Sequence, residues 1–426
     1  MISLFPHQQR ALEDTEDKNK VAYYLDMGLG KTFVGAEKMM QLGAKVNLVI
    51  CQKSKIDDWM EHFRKYYSRP KCDVYDLTSS IDMVHFLENN RNEYFDDCMI
   101  GVINYELAFR RPKLAELEDF TLMLDESSLI QNENSKRSKF ILKKLQPKNI
   151  ILLSGTPTGG KYEKLWSQLS LLGYRLPKKA FYNMYVDYHY KDNEGFPLMV
   201  IDGYKNVERL KRKMRDLGCV FMKSDEVFDL PKQTFIDIKV PTTKEYRIFR
   251  KDCIVEIDGA ELVGDTTLTK MLYERQLCGQ YNDDKLKAFE DLLESTNDRL
   301  IVFYNFTAEL DAMKHICDAL GRAYSIVNGQ DKDLYAYEQK DDSVTFLQYQ
   351  AGAMGLNLQK ANKIVYFTSP LSSELFEQSK KRIHRIGQEK PCFYYKLICK
   401  GSIEEKIYRT LKMRKNYTEA LFEGGE

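Results

Sequence analysis

Short apolar runs alternate with amphipathic stretches along most of the chain. Residues 21–26 (VAYYLD), 46–51 (VNLVIC), 98–105 (CMIGVINY), 121–126 (TLMLDE) and 149–155 (NIILLSG) are bounded by turn signals and rich in residues that favour strands. Their hydrophobicity is continuous rather than alternating, which predicts strands buried on both faces of a parallel sheet. Between them, SKIDDWMEHFRKYY places Ile56, Trp59, Phe63 and Tyr66 on one helical face. Trp59 reads as a core anchor, with a stacking platform as the other option. Residues 156–225 carry mostly helical signals, and the Pro-, Gly- and Tyr-rich stretch 173–203 shows no clear period. QTFIDIKV (233–240) reads as a strand and 242–295 as helices. The alternation then resumes at 299–306, 344–350, 362–369 and 393–399. The pattern predicts an α/β protein with two lobes. The first spans 1–240 with a helical insertion at about 156–225, and 241–426 forms a helical linker and a C-terminal lobe.

Composition narrows the class. At 43% hydrophobic and 30% charged residues, the 426-residue chain matches neither a disordered nor a collagen-like polymer. No run approaches the roughly 18 apolar residues of a membrane helix. The opening MISLFPHQQR has no signal-peptide core, so a cytoplasmic protein is expected, with a nuclear one also open. Lys and Arg total 64 and Asp and Glu 63, so any basic surface must be local. The nine cysteines lack a CxxC pair and the six histidines are dispersed, which predicts reduced thiols and no zinc.

The first chemical signal follows the strand at 21–26. Leu25-Asp-Met-Gly-Leu-Gly-Lys-Thr32 is a Gly-rich turn opening a helix, the arrangement that aims backbone N–H groups and a helix dipole at phosphate. Met27, Gly28, Leu29, Gly30, Lys31 and Thr32 are therefore candidate ATP-binding residues. Lys31 would reach the β and γ phosphates and Thr32 would ligate Mg²⁺. Leu25 stands where the strict pattern has glycine. A phosphate loop also needs a carboxylate at the end of a neighbouring buried strand. TLMLDE provides Asp125 for Mg²⁺ and Glu126 as general base for water, about 95 residues downstream. Ser154-Gly-Thr-Pro157 closes the next apolar run. It reads equally as a plain strand-ending turn or as sensor hydroxyls at the carboxyl edge of a sheet.

Two clusters lie in the second half, Ala351-Gly-Ala-Met-Gly-Leu-Asn-Leu358 and Gln378-Ser-Lys-Lys-Arg-Ile-His-Arg-Ile-Gly-Gln388. Arg382 and Arg385, three apart near a predicted helix end, would share a face and could act as arginine fingers. An isolated RxxR more commonly marks a solvated basic face.

Taken in order, LFPHQ (4–8), MGLGKT, the Trp59 helix, INYE (103–106), LDES, LSGTP, KSDEVFDLPKQ (223–233), FYNF (303–306), AGAMGLNL and QSKKRIHRIGQ form a series. It resembles the SWI/SNF-type DNA translocases of helicase superfamily two, and does so from residue 4 to about 410. That resemblance implies two RecA-like lobes, with parallel sheets flanked by helices and short helical insertions between them. It implies ATP and Mg²⁺ as ligands, an ATP-hydrolysing activity, and tracking along duplex DNA. It also assigns roles: Gln8 on the adenine edge, Gly355 on the ribose side, and Lys31, Asp125, Glu126, Arg382 and Arg385 in catalysis. Ser154, Gly155, Thr156 and Gln378 would couple the nucleotide to the DNA face. The chain departs from the family at DESS, which lacks the histidine of DEAH or DEGH, and at LSGTPTGG.

Residues 134–150 hold six basic and no acidic residues, so Lys136, Arg137 and Lys139 are candidate DNA contacts. The basic 404–417 stretch reads equally as a solvated helix face. KRSK and KRKMR resemble nuclear signals but lie within the motor. Subtracting the motor leaves no targeting module, which suggests a monomeric, bacterial or phage-type motor or one directed by a protein partner. Two other functions stay open, a strand-separating DNA or RNA helicase and an ATP-switched nucleic-acid clamp with little turnover.

Overall fold

The computed structural model describes residues 3–67, 72–92, 97–193, 196–349 and 356–422. The chain divides into two compact units, one of Met1–Val227 with Tyr417–Glu426 and one of Phe228–Asn416.

The first unit contains β1 (Lys20–Leu25), β2 (Val46–Cys51), β3 (Cys72–Asp76), β4 (Cys98–Asn104), β5 (Thr121–Asp125), β6 (Asn149–Leu153), an antiparallel hairpin of β7 (Val186–Asn193) and β8 (Phe196–Tyr204), and β9 (Cys219–Met222). Seven of these form one sheet in the order β3-β4-β2-β5-β6-β1-β9, every pairing parallel. The five apolar runs read from the sequence supply its centre, and β2 and β6 are buried along their whole length. A parallel sheet puts all its strand ends on one edge. The turns after β1, β5 and β6 therefore emerge side by side.

The helix Ile56–Tyr66 covers this sheet, with Ile56, Trp59 and Phe63 buried as expected. Tyr66 is exposed; the ring that closes the face is that of Tyr67, 6% exposed, which donates to Glu37 at 2.9 Å. The region 156–225 is not wholly helical, because the stretch without a clear period contains the β7–β8 hairpin.

The second unit contains β10 (Gln233–Val240), a hairpin of β11 (Ile254–Ile257) and β12 (Ala260–Val263), then β13 (Leu300–Tyr304), β14 (Tyr324–Val327), β15 (Val344–Gln348), β16 (Lys363–Tyr366) and β17 (Cys392–Cys399). Its parallel sheet runs β10-β17-β16-β13-β15-β14. The expectation put 233–240 with the first lobe. Instead β10 pairs along its full length with β17, so the division falls near 227. The β11–β12 hairpin likewise interrupts a segment read as all helical.

All nine thiols are free. Cys278, Cys399 and Glu404 bring potential ligand atoms within 4.8 Å of one another. The Lys285 ammonium meets both Glu404 oxygens at 2.8 Å, however, and both side chains are essentially inaccessible. Burial, the largest single influence, opposes the Lys285 charge, but Glu404 and the adjacent Cys399 and Cys278 together outweigh it and the ammonium's pKa rises. Removing one partner of such a pair strands a buried charge. Glu404→Leu should thus destabilise the second unit by about 3–5 kcal/mol, and adding Lys285→Met should restore most of it. Urea unfolding followed by circular dichroism checks this. Both tryptophans, Trp59 and Trp166, lie in the first unit and serve as an internal control. A single-variant cost below about 1 kcal/mol would contradict the assignment.

Candidate nucleotide site

The loop after β1 begins the site. Gly28 and Gly30 adopt φ of +91° and +75°, a region costly for residues with a Cβ. Gly30 is constrained twice, since a Cβ there would sit 2.1 Å from Gln8 Nε2. Gln8 is 4% exposed and clamps the loop: its Oε1 accepts from Phe5 N at 3.0 Å and its Nε2 donates to Leu29 O at 3.1 Å. The Leu29 side chain is buried and Met27 is half-buried. Lys31 Nζ donates to Leu25 O at 2.9 Å and Asp26 O at 3.4 Å. Thr32 follows in the first turn of the helix Lys31–Leu42. A Cβ on Gly155 would come within 3.3 Å of Lys31 Nζ, so the turn after β6 closes over the lysine.

Asp125 ends β5. Burial raises its carboxyl pKa, while a hydrogen bond from Trp59 and the Lys31 charge act to lower it. Trp59 Nε1 donates to Asp125 Oδ2 at 2.8 Å, and the indole stacks on Phe63 with ring centroids 5.5 Å apart. The core-anchor reading of Trp59 is right yet incomplete, because the same ring positions the carboxylate proposed for the metal. Hydrophobic periodicity cannot reveal where an indole N–H points. Tyr105 Oη adds a bond to Asp125 O at 2.9 Å.

Glu126 has φ +53° and ψ +59°, a left-handed conformation unusual for a residue other than glycine. Ser154 Oγ lies 3.4 Å from Glu126 Oε2 and accepts from Thr156 N at 3.2 Å. The Thr156 hydroxyl is buried with no hydrogen-bond partner among the described residues. Ser154 thus meets Glu126 and Gly155 lies against Lys31, the two catalytic candidates, with Thr156 bonded to Ser154. That geometry favours sensor hydroxyls over a plain turn.

Gln168, fully buried, was not among the expected residues. Its Oε1 accepts from Tyr24 Oη at 3.1 Å and Ser127 Oγ at 2.8 Å, and its Nε2 donates to Pro157 O at 2.8 Å. One amide therefore ties together β1, the DESS turn and the SGTP turn. The first serine of DESS takes part in this link. A second unforeseen tie joins Asp26 Oδ2 to Ser224, whose hydroxyl and N–H donate at 2.7 and 3.2 Å. It fastens the phosphate loop to the short helix Ser224–Val227 at the end of the first unit.

In the second unit, the helix Ser373–Lys380 carries Gln378, whose Nε2 lies 3.5 Å from Glu374 Oε1. The helix ends before the arginines, so Arg382 and Arg385 do not share a helical face. Arg382 is 2% exposed and its Nη1 donates to Leu356 O at 3.4 Å. Arg385 is half-buried, and burial lowers its pKa. Gln388 Nε2 donates to Ala361 O at 2.8 Å, bracing the turn. Gly355 lies outside the described residues.

Of the DNA candidates, Lys136 and Lys139 are exposed at the start of the helix Lys136–Lys143. Arg137 pairs with Glu106 at 3.2 Å. Glu106 also lines a groove of about 590 Å³ with Lys53, Asn104 and Arg110, at the same carboxyl edge of the sheet.

A glycine turn presenting Lys31 and a strand-end carboxylate pair on one sheet edge define a P-loop nucleotide-binding protein. Residues 23–283 match the SNF2-related domain and 284–387 the helicase conserved C-terminal domain. The chain belongs to the SNF2-related family of helicase-like ATPases, and its two parallel sheets are the family's RecA-like lobes. It is 24% identical over 442 residues to the SWI/SNF-related matrix-associated actin-dependent regulator of chromatin subfamily A member 1 of Mus musculus, covering 94% of this chain and 41% of that protein. An ISWI chromatin-remodeling complex ATPase of Saccharomyces cerevisiae is 25% identical, with coverages of 93% and 38%. A DNA repair and recombination protein of the same species is 22% identical, with coverages of 97% and 52%. The chain thus spans about two fifths to one half of these relatives' length. A solved SWI2/SNF2 ATPase core from Sulfolobus solfataricus in complex with dsDNA is 20% identical, with a TM-score of 0.45 over 98% of this chain and 92% of that one.

Trp59→Phe keeps the aromatic packing and removes the donor to Asp125. A hydrogen bond to a charged group contributes about 1.5–3 kcal/mol, so nucleotide turnover at neutral pH should fall at least about tenfold. The metal-binding role expected of Asp125 requires an anion, and without the donor its pKa would rise further. The acidic limb of the kcat/KM profile should therefore move to higher pH. A limb unchanged from wild type would remove Trp59 from the site.

Proposed function

We propose that this chain is an ATP-driven motor that moves along duplex DNA without separating its strands, remodelling DNA or protein–DNA complexes. The observation that carries this reading is the connected edge of the first sheet. There Lys31, Glu126, the DESS turn and the SGTP turn are hydrogen-bonded or packed together through Ser154, Gly155 and Gln168, and Trp59 and Tyr105 hold Asp125 beside them. A passive fold has no need for a strained glutamate and a partnerless buried hydroxyl at such a point.

The residues present fit a nucleotide with a divalent ion. The loop glycines leave room for phosphate, Lys31 offers an ammonium, and Thr32 and Asp125 offer oxygen ligands suited to Mg²⁺. Bound Mg²⁺ would neutralise phosphate charge. Gln8 holds the loop in shape, and Glu126 takes a proton from the attacking water. Ser154 and Thr156 register the change at the γ position through their bonds to Glu126 and to each other. We assign Arg385 the arginine-finger role and Arg382 the task of positioning it through the Leu356 carbonyl. Lys136 and Lys139 contact DNA phosphates, with Arg137 oriented by Glu106. Such contacts are sequence-blind. The relatives' names, which speak of chromatin remodelling and DNA repair, support a DNA substrate. The motor acts as a monomer whose targeting comes from a protein partner. The match to a helicase C-terminal domain favours strand separation as the second reading.

Steady-state ATP hydrolysis measured alone and with duplex DNA, single-stranded DNA or RNA tests the proposal. Duplex should stimulate most strongly. Lys31→Ala should be inactive, Glu126→Gln should bind ATP without turnover, and Arg385→Ala should lose roughly 10³-fold. Stimulation by single strands alone would favour the helicase, and a loss below threefold in Arg385→Ala would dismiss the finger.

A further inference from the structure

Two cysteines stand side by side at the outer edge of the first sheet. Cys72 opens β3, the edge strand, and Cys98 opens its neighbour β4. The parallel register pairs them directly, Cys72 with Cys98. Paired residues of adjacent strands put their side chains on the same face, with the strands about 4.8 Å apart. That spacing falls inside the roughly 4.4–6.8 Å between Cα atoms that a disulfide spans. Both thiols are free, and both residues are half-buried, so solvent reaches them.

Neighbouring groups make the two sulfurs unequal. Asn47, 1% exposed, donates from Nδ2 to Cys98 Sγ at 3.5 Å, and Cys72 Sγ lies 3.9 Å from Met40 Sδ. The adjacent Cys98 thiol holds the Cys72 thiol below its usual pKa, against burial and the charges of Asp73 and Asp97. Cys98 is pushed up in turn, by Cys72 and by burial. One sulfur is the readier thiolate, which is the nucleophile of thiol oxidation, and the other is a protonated partner beside it. Cys278 and Cys399 form a second close pair, but both are fully buried and shielded from any dissolved oxidant.

From this pairing we infer that Cys72 and Cys98 are a peroxide-reactive site that closes to a reversible disulfide, fastening the edge strand β3 to β4. The Cys72 thiolate attacks a hydroperoxide and the O–O bond breaks. Cys72 becomes a sulfenic acid, and the other oxygen leaves as an alcohol, or as water from hydrogen peroxide. The Cys98 sulfur then attacks the Cys72 sulfur. The S–O bond breaks, the S–S bond forms, and the Cys98 proton leaves with the oxygen as water. Two thiols give up two electrons and the hydroperoxide accepts them. An added dithiol reverses the bond by exchange. Cys98, directly in register, intercepts the Cys72 sulfenic acid before the irreversible sulfinic stage. The bond also ties down a strand that has a ladder on one side only.

The experiment exposes native protein to hydrogen peroxide at a concentration that oxidises free glutathione, alkylates the remaining thiols and maps every cysteine by mass spectrometry. Wild-type protein should lose two of its nine thiols, recovered as a Cys72–Cys98-linked peptide that dithiothreitol splits. Cys278 and Cys399 should stay reduced. Cys98→Ser should leave Cys72 as a sulfenic acid that dimedone labels, whereas Cys72→Ser should leave Cys98 reduced. The wild-type result stands whether or not either variant folds. Oxidised wild-type protein without the linked peptide would overturn the inference, as would thiol loss spread evenly over the nine cysteines. Dimedone labelling of Cys98 in Cys72→Ser, with none of Cys72 in Cys98→Ser, would overturn the assignment of Cys72 as the attacking sulfur.

Discussion

Asp125 stands where a buried strand meets the carboxyl edge of its sheet, and water alone cannot keep its carboxylate charged there. Burial pushes its pKa up. The metal-binding role proposed for Asp125 calls for an anion, and two neighbours favour that form against burial. They are the Trp59 indole N–H and the nearby Lys31 ammonium. Both are placed by the same parallel sheet, one through a helix that covers it and one through the turn after β1. The rest of the site follows from this requirement. The strained turn at Glu126 lifts the next carboxylate off the strand line, and Ser154 comes across from β6 to meet it.

These parts form one bonded assembly. Gln168 uses its amide to hold β1, the DESS turn and Pro157, so a shift in any one is felt by the others. Asp26 carries the connection from the phosphate loop to Ser224, three residues before the first unit ends. The loop after β1 is thereby tied by discrete hydrogen bonds to the helix at 224–227. The departure from DEAH or DEGH is intelligible in this setting. Ser127 has a fixed structural use, and Asp125 and Glu126, the residues proposed for metal and base, stand intact before it.

Much of this was legible in the sequence, for identifiable reasons. Strands buried on both faces write themselves as unbroken apolar runs, and β2 and the helix at 56–66 fall where the pattern puts them. Three of the four edge strands, β3, β9 and β14, do not. CDVYD at β3 is half polar, and CVFM and YSIV are only four residues long. The two hairpins lie outside the main sheets and mix polar with apolar residues without a strict period, which masked them in segments otherwise helical. The phosphate loop and the carboxylate pair were visible because their chemistry demands particular residues. Trp59 and Gln168 were not visible in their working roles. A tryptophan on an apolar face and a glutamine in WSQLSL carry no sign of their hydrogen-bond partners, which come from 66 and 144 positions away.

The central claim is that nucleotide chemistry at this edge drives movement along intact duplex DNA. Displacement of a labelled third strand from a triplex placed at one end of a blunt duplex tests it most directly. The account predicts ATP-dependent release of the third strand, at a lag that grows with the length of duplex to be crossed, with the two duplex strands remaining paired. Release of a duplex strand, or a lag independent of length, would contradict it.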